Sequence, residues 1–462
     1  MDHIMDHTTD RDPGAVDSSA YYAFALLFLL YMFDYIDRLV IVSLFPFLKR
    51  DWGLTDAQCG LLVSAVYWSI LIFSLPVSVL IDRWSRKKSI GLMALFWGAA
   101  SLGCAFTRNF SQLFCARTAI GIGEAGYAPG GTAMISAMFP QQSRARMLGI
   151  WNASIPLGSA LGIVLGGFIA EHFGWRHAFG IVALPGMIAA LFFFYVKDYQ
   201  TIALVHTKKE ESGQSRIQMK LIDIIRQFTH NRTLVFNNLA FAANAFVTTS
   251  LLTWLPTYYH RIEMLPMDKA ATKGGSIMLL ALIGAPLGGF LADKWLKRRK
   301  NARSLFPALS SLVTSVALLA AFVILPGHVQ YAILLFSGIT AIAFVPAAVA
   351  VTQDVVHPGL RAVSLSLCVI IQHLLGSALG PPVIGILSDT YGLETALKFL
   401  PCFTFVGSIL FFAASFFYKH DFEKVEKVAI IIDRRDPRLA PPASERPSST
   451  HNAPPRKTRH GI

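Results

Sequence analysis

The chain is a succession of long apolar runs separated by short polar joints. About 20 apolar residues are needed to cross a hydrocarbon core, and twelve such runs can be marked. Six lie in the first half, at 21–47, 57–81, 89–106, 111–138, 148–173 and 177–196. Six follow in the second half, at 234–259, 274–292, 305–325, 329–352, 362–387 and 393–417. Most joints are short, as between antiparallel neighbours. The pattern predicts an all-α polytopic membrane protein with twelve transmembrane helices. Between the two sets lies a polar, Lys-rich stretch in which Leu221, Ile224, Ile225 and Phe228 share one helical face. That spacing suits a short helix lying on a membrane surface. The expected organisation is a disordered N-terminus over 1–18, a helical bundle over 19–197, a linker over 198–233, a second bundle over 234–418 and a disordered tail over 419–462.

Two landmarks repeat. Leu-Gly-Ser-Ala-Leu-Gly stands at 157–162 and again at 375–380. Asp82 opens a basic joint, Asp82-Arg83-Trp84-Ser85-Arg86-Lys87-Lys88, and Asp293 opens another, Asp293-Lys294-Trp295-Leu296-Lys297-Arg298-Arg299. The two spacings nearly agree, so the chain reads as one unit duplicated into two pseudo-symmetric six-helix bundles. Such an organisation puts a binding site between the halves and points to a transporter rather than an enzyme.

Composition agrees. Of 462 residues, 54% are hydrophobic and 15% are charged, against about a quarter charged in soluble proteins. The net charge of +13 is spread over many short loops, which argues against a nucleic-acid partner. Lys and Arg are denser on alternate loops, around Arg83, Arg144, Lys208 and Lys297. By the positive-inside rule these loops and both termini are cytoplasmic, in a plasma (bacterial inner) membrane. The five cysteines stand singly, with neither zinc-site nor disulfide spacing. No metal or other cofactor is expected. The first apolar run is too long for a signal-peptide core. Gly-x-x-x-x-Gly-Lys-Ser/Thr, His-Glu-x-x-His and Gly-x-Ser-x-Gly are all missing, which leaves no ATP-driven pump or hydrolase signature and no catalytic residue.

The chemistry lies in charges inside apolar runs. A charge at mid-membrane costs about 2.5–3.5 kcal/mol on insertion scales, so it is normally paired or lines water. Asp34, Asp37 and Arg38 share one face of the first run, and Arg117 and Glu124 stand two turns apart in the fourth. Together they form a candidate network for substrate binding and proton coupling, in which Arg38 or Arg117 holds an anion and Glu124 or Asp37 loads a proton. Simple packing is the competing role. Gly121-x-Gly123-x-x-Gly126 has no preceding strand and is not a nucleotide site. Ser154, Gly158, Gly162 and Gly166, echoed by Gly376 and Gly380, form small-residue stripes suited to close helix contact or to a sliding interface between the halves. The second half is polar rather than charged, and Asn244, Thr248, Gln372 and His373 are its candidate cavity-lining residues.

The segment Leu80-x-Asp82-Arg83-x-x-Arg86-Lys87 resembles the major facilitator superfamily signature G-x-L-x-D-R-x-G-R-[KR], with Ser78 and Ser85 replacing two glycines. Gly289-x-Leu291-Ala292-Asp293-Lys294 is an imperfect second copy. The resemblance implies a conformational latch at Asp82, Arg83, Arg86 and Asp293. Three segments resemble spinster-like members more closely: Asp34-Tyr35-Ile36-Asp37-Arg38, Arg117 through Tyr127, and Ala153 through Gly162. This implies lysolipid or sphingolipid-type transport, with Asp37, Arg38, Arg117 and Glu124 at the subfamily's intramembrane charged positions. Asp34 stands where Asn is common.

The expected function is secondary active transport, by alternating access, of an amphiphilic, anionic small molecule such as a lysophospholipid, with protons as the coupling ion and the chain acting as a monomer. Uptake of a small organic anion such as a sugar acid is the first alternative. A non-transporting membrane receptor is the second.

Overall fold

A computed structural model describes residues 18–83, 85–196, 228–299, 301–325, 327–356 and 360–425; the side chains of 75, 78–83, 86, 141, 145 and 362 lie outside this description. The surface helix expected around Leu221–Ile225, nearly all of the linker, the N-terminal stretch before Ser18 and the tail beyond Val425 fall outside it too, whereas 419–423, expected to be disordered, continue the last helix.

Among the described residues the chain forms twelve helical rods and no strand. The first six are α1 (Ser18–Leu39, continued by a 3-10 turn Val40–Leu44 and by Phe45–Trp52), α2 (Asp56–Arg83), α3 (Arg86–Cys104), α4 (Phe110–Glu124 and Tyr127–Met138), α5 (Gln141–Asn152 and Ser154–Phe173) and α6 (Trp175–Phe193). The second six are α7 (Arg232–Arg261), α8 (Met267–Leu279 and Ala281–Leu296), α9 (Ala302–Leu319 and Ala320–Ile324), α10 (Gly327–Ala343 and Val345–Asp354), α11 (Arg361–Ile371, a π-helical stretch Gln372–Ser377, then Gly380–Tyr391) and α12 (Leu393–Leu397 and Leu400–Glu423). Nine are long and apolar enough to cross a membrane; α1, α3 and α4 are not among these. α1 and α4 carry the buried network charges.

The rods overrun the apolar windows at their polar ends. α8 begins at Met267 rather than 274, and α12 ends at Glu423 rather than 417. Backbone hydrogen bonding continues through a polar turn at no cost where that turn reaches water or headgroups, so hydropathy misses it. α1 ends in a turn that needs glycine: Gly53 has φ +64° and its N–H bonds the Lys49 carbonyl at 2.9 Å.

Helix pairing repeats between the halves. In the first, α1 packs on α5 and α6, α2 on α4, and α3 on α4 and α6; in the second, α7 packs on α11 and α12, α8 on α10, and α9 on α10 and α12. The duplicated hexapeptide does the same work in each. A Cβ on Gly158 or Gly162 would lie 2.3 Å from Met32 O or 2.6 Å from Ile36 O on α1. One on Gly376 or Gly380 would lie 2.6 Å from Ala242 O or Phe246 O on α7. The stripes therefore lock each bundle internally and do not form the interface between the halves.

That interface consists of two further seams related by the same repeat, α2 on α11 and α5 on α8. At the end remote from the Asp82 loop, each fifth helix of a half offers a carboxylate to the start of the other half's second helix. Asp389 accepts from the N–H groups of Asp56 and Ala57 at 2.8 Å each, and Glu171 accepts from the N–H of Met267 at 3.2 Å. An anion suits the exposed N–H groups of a helix start.

Candidate functional site

The site is built where α1, α2 and α4 converge in the first half. Arg38 Nη2 donates to Asp34 Oδ2 at 3.1 Å and to Glu124 Oε2 at 2.8 Å. The first contact is the i,i+4 geometry of one helix face; the second joins α1 to the break in α4. Tyr35 and Tyr67 present their rings to the same guanidinium, with centroids 4.5 and 5.5 Å away. Below lies a packed aromatic floor. Tyr31 stacks on Trp151 at 4.3 Å, and both Trp151 Nε1 and Tyr127 OH donate to Leu27 O.

Arg117 does something else. It is fully buried, and its guanidinium donates to three main-chain carbonyls: Leu62 at 3.2 Å, Asp37 at 2.9 Å and Arg38 at 2.8 Å. The 3-10 turn of α1 starts two residues later, and Arg117 satisfies carbonyls at that change of helix type. Where an anion holder was expected, its donors meet the backbone. Asp37 is equally sealed. It accepts from Ser101 Oγ on α3 at 2.9 Å, and its second oxygen has no partner. Asp34, Arg38 and Glu124 also each retain one unpartnered buried polar atom.

The candidates from the second half divide. His373, on the π-helical stretch of α11, stacks on Tyr67 across the seam with centroids 5.6 Å apart. Gln372 beside it is half-buried. Thr248 lines a cavity of about 30 Å³ between α7, α8 and α10, inside the second half. Asn244 donates to Ala240 O at 2.9 Å and lies against Gly407 of α12. The period of a helix shows that Asn244 and Thr248 share a face, but not which neighbour covers each.

The side chains of Asp82, Arg83 and Arg86 lie outside the described residues; their backbones end α2 and open α3. Ser85, a departure from the signature, caps α3 by accepting from the Lys88 N–H at 3.1 Å. Asp293 is mostly exposed, 3.6 Å from Arg303. The hub there is Asp354, which the sequence reading missed. It takes Arg303 Nη1 at 3.0 and 3.2 Å and Tyr418 OH at 2.9 Å, tying α9, α10 and α12.

A second cluster was also missed. Asp56, at the start of α2, is buried and accepts from Arg261 at 2.8 and 3.0 Å, from Ser388 at 2.5 Å and from Lys49. It joins α1 and α2 to α7 and α11 and thus clasps the halves at the end remote from the Asp82 loop. Its only sequence signal was an Asp at a polar joint. Among the described residues no three His, Cys, Asp or Glu side chains are grouped to hold a metal.

Comparison with known proteins agrees with this architecture. The Major Facilitator Superfamily model matches residues 27–381. The chain is 28% identical over 432 residues to the sphingosine-1-phosphate transporter SPNS2 of Xenopus tropicalis, covering 86% of this chain and 81% of that one. It is 27% identical over 399 residues to the hexuronate transporter of Bacillus subtilis, covering 84% and 91%. The crystal structure of a bacterial homologue of the human lysosomal transporter spinster, inward-facing and unoccupied, shares the fold with a TM-score of 0.76 at 22% identity, covering 88% and 99%. Duplicated bundles, a buried ionic site in the first half and these likenesses agree: the chain belongs to the Major Facilitator Superfamily and is a spinster-like integral membrane transporter, not an enzyme.

Proposed function

We propose that the chain moves an amphiphilic anionic molecule, of lysophospholipid or sphingolipid-like kind, across the membrane by alternating access with proton coupling. The observation that carries this reading is that Arg38 is shared. The same nitrogen serves Asp34 and Glu124, and the Arg38 side chain keeps 6% of its surface exposed while that of Glu124 keeps none. A substrate anion arriving at Arg38 competes with Glu124 for that guanidinium. A carboxylate that loses its cation in a buried place favours its protonated form. Anion binding and proton loading are thereby linked. The charge count supports it: Asp34, Asp37 and Glu124 face Arg38 and Arg117, so one proton balances the network. Arg117 braces α1 and Asp37 is the second proton site.

Gln372, His373 and Thr248 contribute the less polar wall facing the acyl part. The basic loops and both termini lie in the cytoplasm, the Asp56 clasp closes the outer face, and the site is reached from inside. The bundles over 19–197 and 234–418 rock about the two seams, joined by the linker 198–233, in a monomer. Asp82, Arg83, Arg86 and Asp293 latch the cytoplasmic face in the alternate state. The relatives named as sphingosine-1-phosphate transporters support a lipid substrate. The likeness to a hexuronate transporter favours a second reading, uptake of a sugar acid.

Proteoliposomes holding the full chain, with an imposed pH gradient and radiolabelled lysophosphatidate, test the proposal. Gradient-dependent flux resisted by excess glucuronate is the expected result. Competition by glucuronate with no lysophosphatidate flux would establish the second reading instead.

A further inference from the structure

One face of α2 runs along the seam with α11: Gly60, Ser64 and Tyr67 at helical spacing. A Cβ on Gly60 would lie 2.5 Å from Pro381 O. Ser64 Oγ donates to Ala378 O at 2.6 Å, just beyond the π-helical stretch of α11. Tyr67 comes next and stacks on His373. The two helices thus meet antiparallel, and Tyr67 is the point where this seam touches the ionic site. Its ring lies 5.5 Å from the Arg38 guanidinium, and it is itself 7% exposed. His373 Nδ1 is buried without a partner. A π-helical insertion in an α-helix frequently marks a functional position.

We propose that Tyr67 is a shutter on Arg38, held shut by His373. With α11 seated against α2, the stacked pair covers the guanidinium. When the halves rock, His373 leaves with α11, Tyr67 loses its stacking partner, and the ring turns aside to admit an anionic headgroup to Arg38. The groups facing the ring are Arg38 and Tyr35 from α1, Glu124 and Arg117 from α4 and His373 from α11, and the displaced His373 nitrogen becomes available to the same headgroup from the opposite half. The inference deepens the transport reading, since it names the positioning residue that governs access to the proposed substrate site.

Access is measured without any substrate. The full-length protein in nanodiscs is treated with phenylglyoxal, and modification at Arg38 is followed by mass spectrometry. Tyr67→Phe keeps the ring and is expected to protect Arg38 as the wild type does. Tyr67→Ala is expected to raise the modification rate several-fold, and His373→Ala to raise it partway. Equal rates in wild type and Tyr67→Ala, with both proteins giving the same melting temperature, would overturn the shutter. Tyr67→Phe as exposed as Tyr67→Ala would overturn it too, because the ring and not the hydroxyl is the proposed cover. Lysophosphatidate flux in wild-type proteoliposomes is scored separately, so a failed shutter and a failed substrate assignment give different results.

Discussion

Glu124 Oε2 lies 2.8 Å from Arg38 Nη2, although the two residues are 86 positions apart. The contact joins the break in α4 to the last α-helical turn of α1. Asp34 takes the same nitrogen at 3.1 Å, so two carboxylates converge on one end of the guanidinium, and a third anion contends with both for its charge. Buried ion pairs contribute little net stability, yet removal of one partner costs about 3–5 kcal/mol because the other is left uncompensated. The proposed competition for Arg38 would give the network a mechanistic reason to persist.

Glu124→Gln keeps the shape and a hydrogen-bonding oxygen while removing the titratable group. The variant is expected to fold, to bind lysophosphatidate and to lose flux driven by a pH gradient. Dye-reported proton movement in proteoliposomes checks this. Wild-type pH dependence in the variant would remove Glu124 from coupling.

Arg117→Lys tests the brace. One ammonium cannot reach carbonyls on two helices in the way a planar fork does. The expected loss is about 1.5–3 kcal/mol of stability, the worth of a charge-assisted hydrogen bond, seen as a lower melting temperature, with unchanged apparent substrate affinity in the protein that survives. Arg38→Lys is expected to do the reverse, weakening affinity with a small change in melting. An affinity loss in Arg117→Lys equal to that in Arg38→Lys would return Arg117 to the substrate.

Gly162→Val and Gly380→Val insert side chains where a Cβ alone would lie 2.6 Å from a backbone oxygen in each bundle. Each should cost about 1–3 kcal/mol or more by overpacking. Because the two glycines do equivalent work in the two bundles, their thermal shifts should be of similar size. A strong effect at one and none at the other would contradict the equivalence.

Asp56→Asn weakens the clasp on Arg261, and Asp389→Asn weakens the helix-start contact beside it. Both are expected to shift the protein toward states open at the Asp56 end. Spin labels at exposed positions of α2 and α11 near that end should report longer distances, and a distance distribution identical to wild type in the double variant would show that the clasp does not set the equilibrium.

How much of this was legible in the chain follows from which forces act locally. The apolar runs announced the rods because each crossing must satisfy its own backbone hydrogen bonds inside an apolar solvent. The duplicated hexapeptide announced the repeat, and Asp34, Arg38 and Glu124 stood out because a charge in such a run is costly. The i,i+4 pair of Asp34 and Arg38 was readable from helical spacing. The spacing of Arg117 and Glu124 was readable as well, but their roles were not, since Arg117 finds its partners on α1 and α2.

Polar joints were opaque for the opposite reason. Asp56 and Asp354 lie where charges are commonplace, and only the meeting of several helices singles them out. Asn244 and Thr248 share a face by helical period, yet one meets Gly407 of α12 and the other a cavity beside α8 and α10. Tyr67, one aromatic among many, became notable only through contacts with Arg38 on one helix and His373 on another. The chain alone determined its membrane class, its helices, its duplication and its costly charges, because each is set by local periodicity and solvation. Tertiary structure decided which guanidinium meets carboxylates and which meets backbone carbonyls, where the halves clasp, and which rings lie beside Arg38, because those depend on which residues distant in sequence come together.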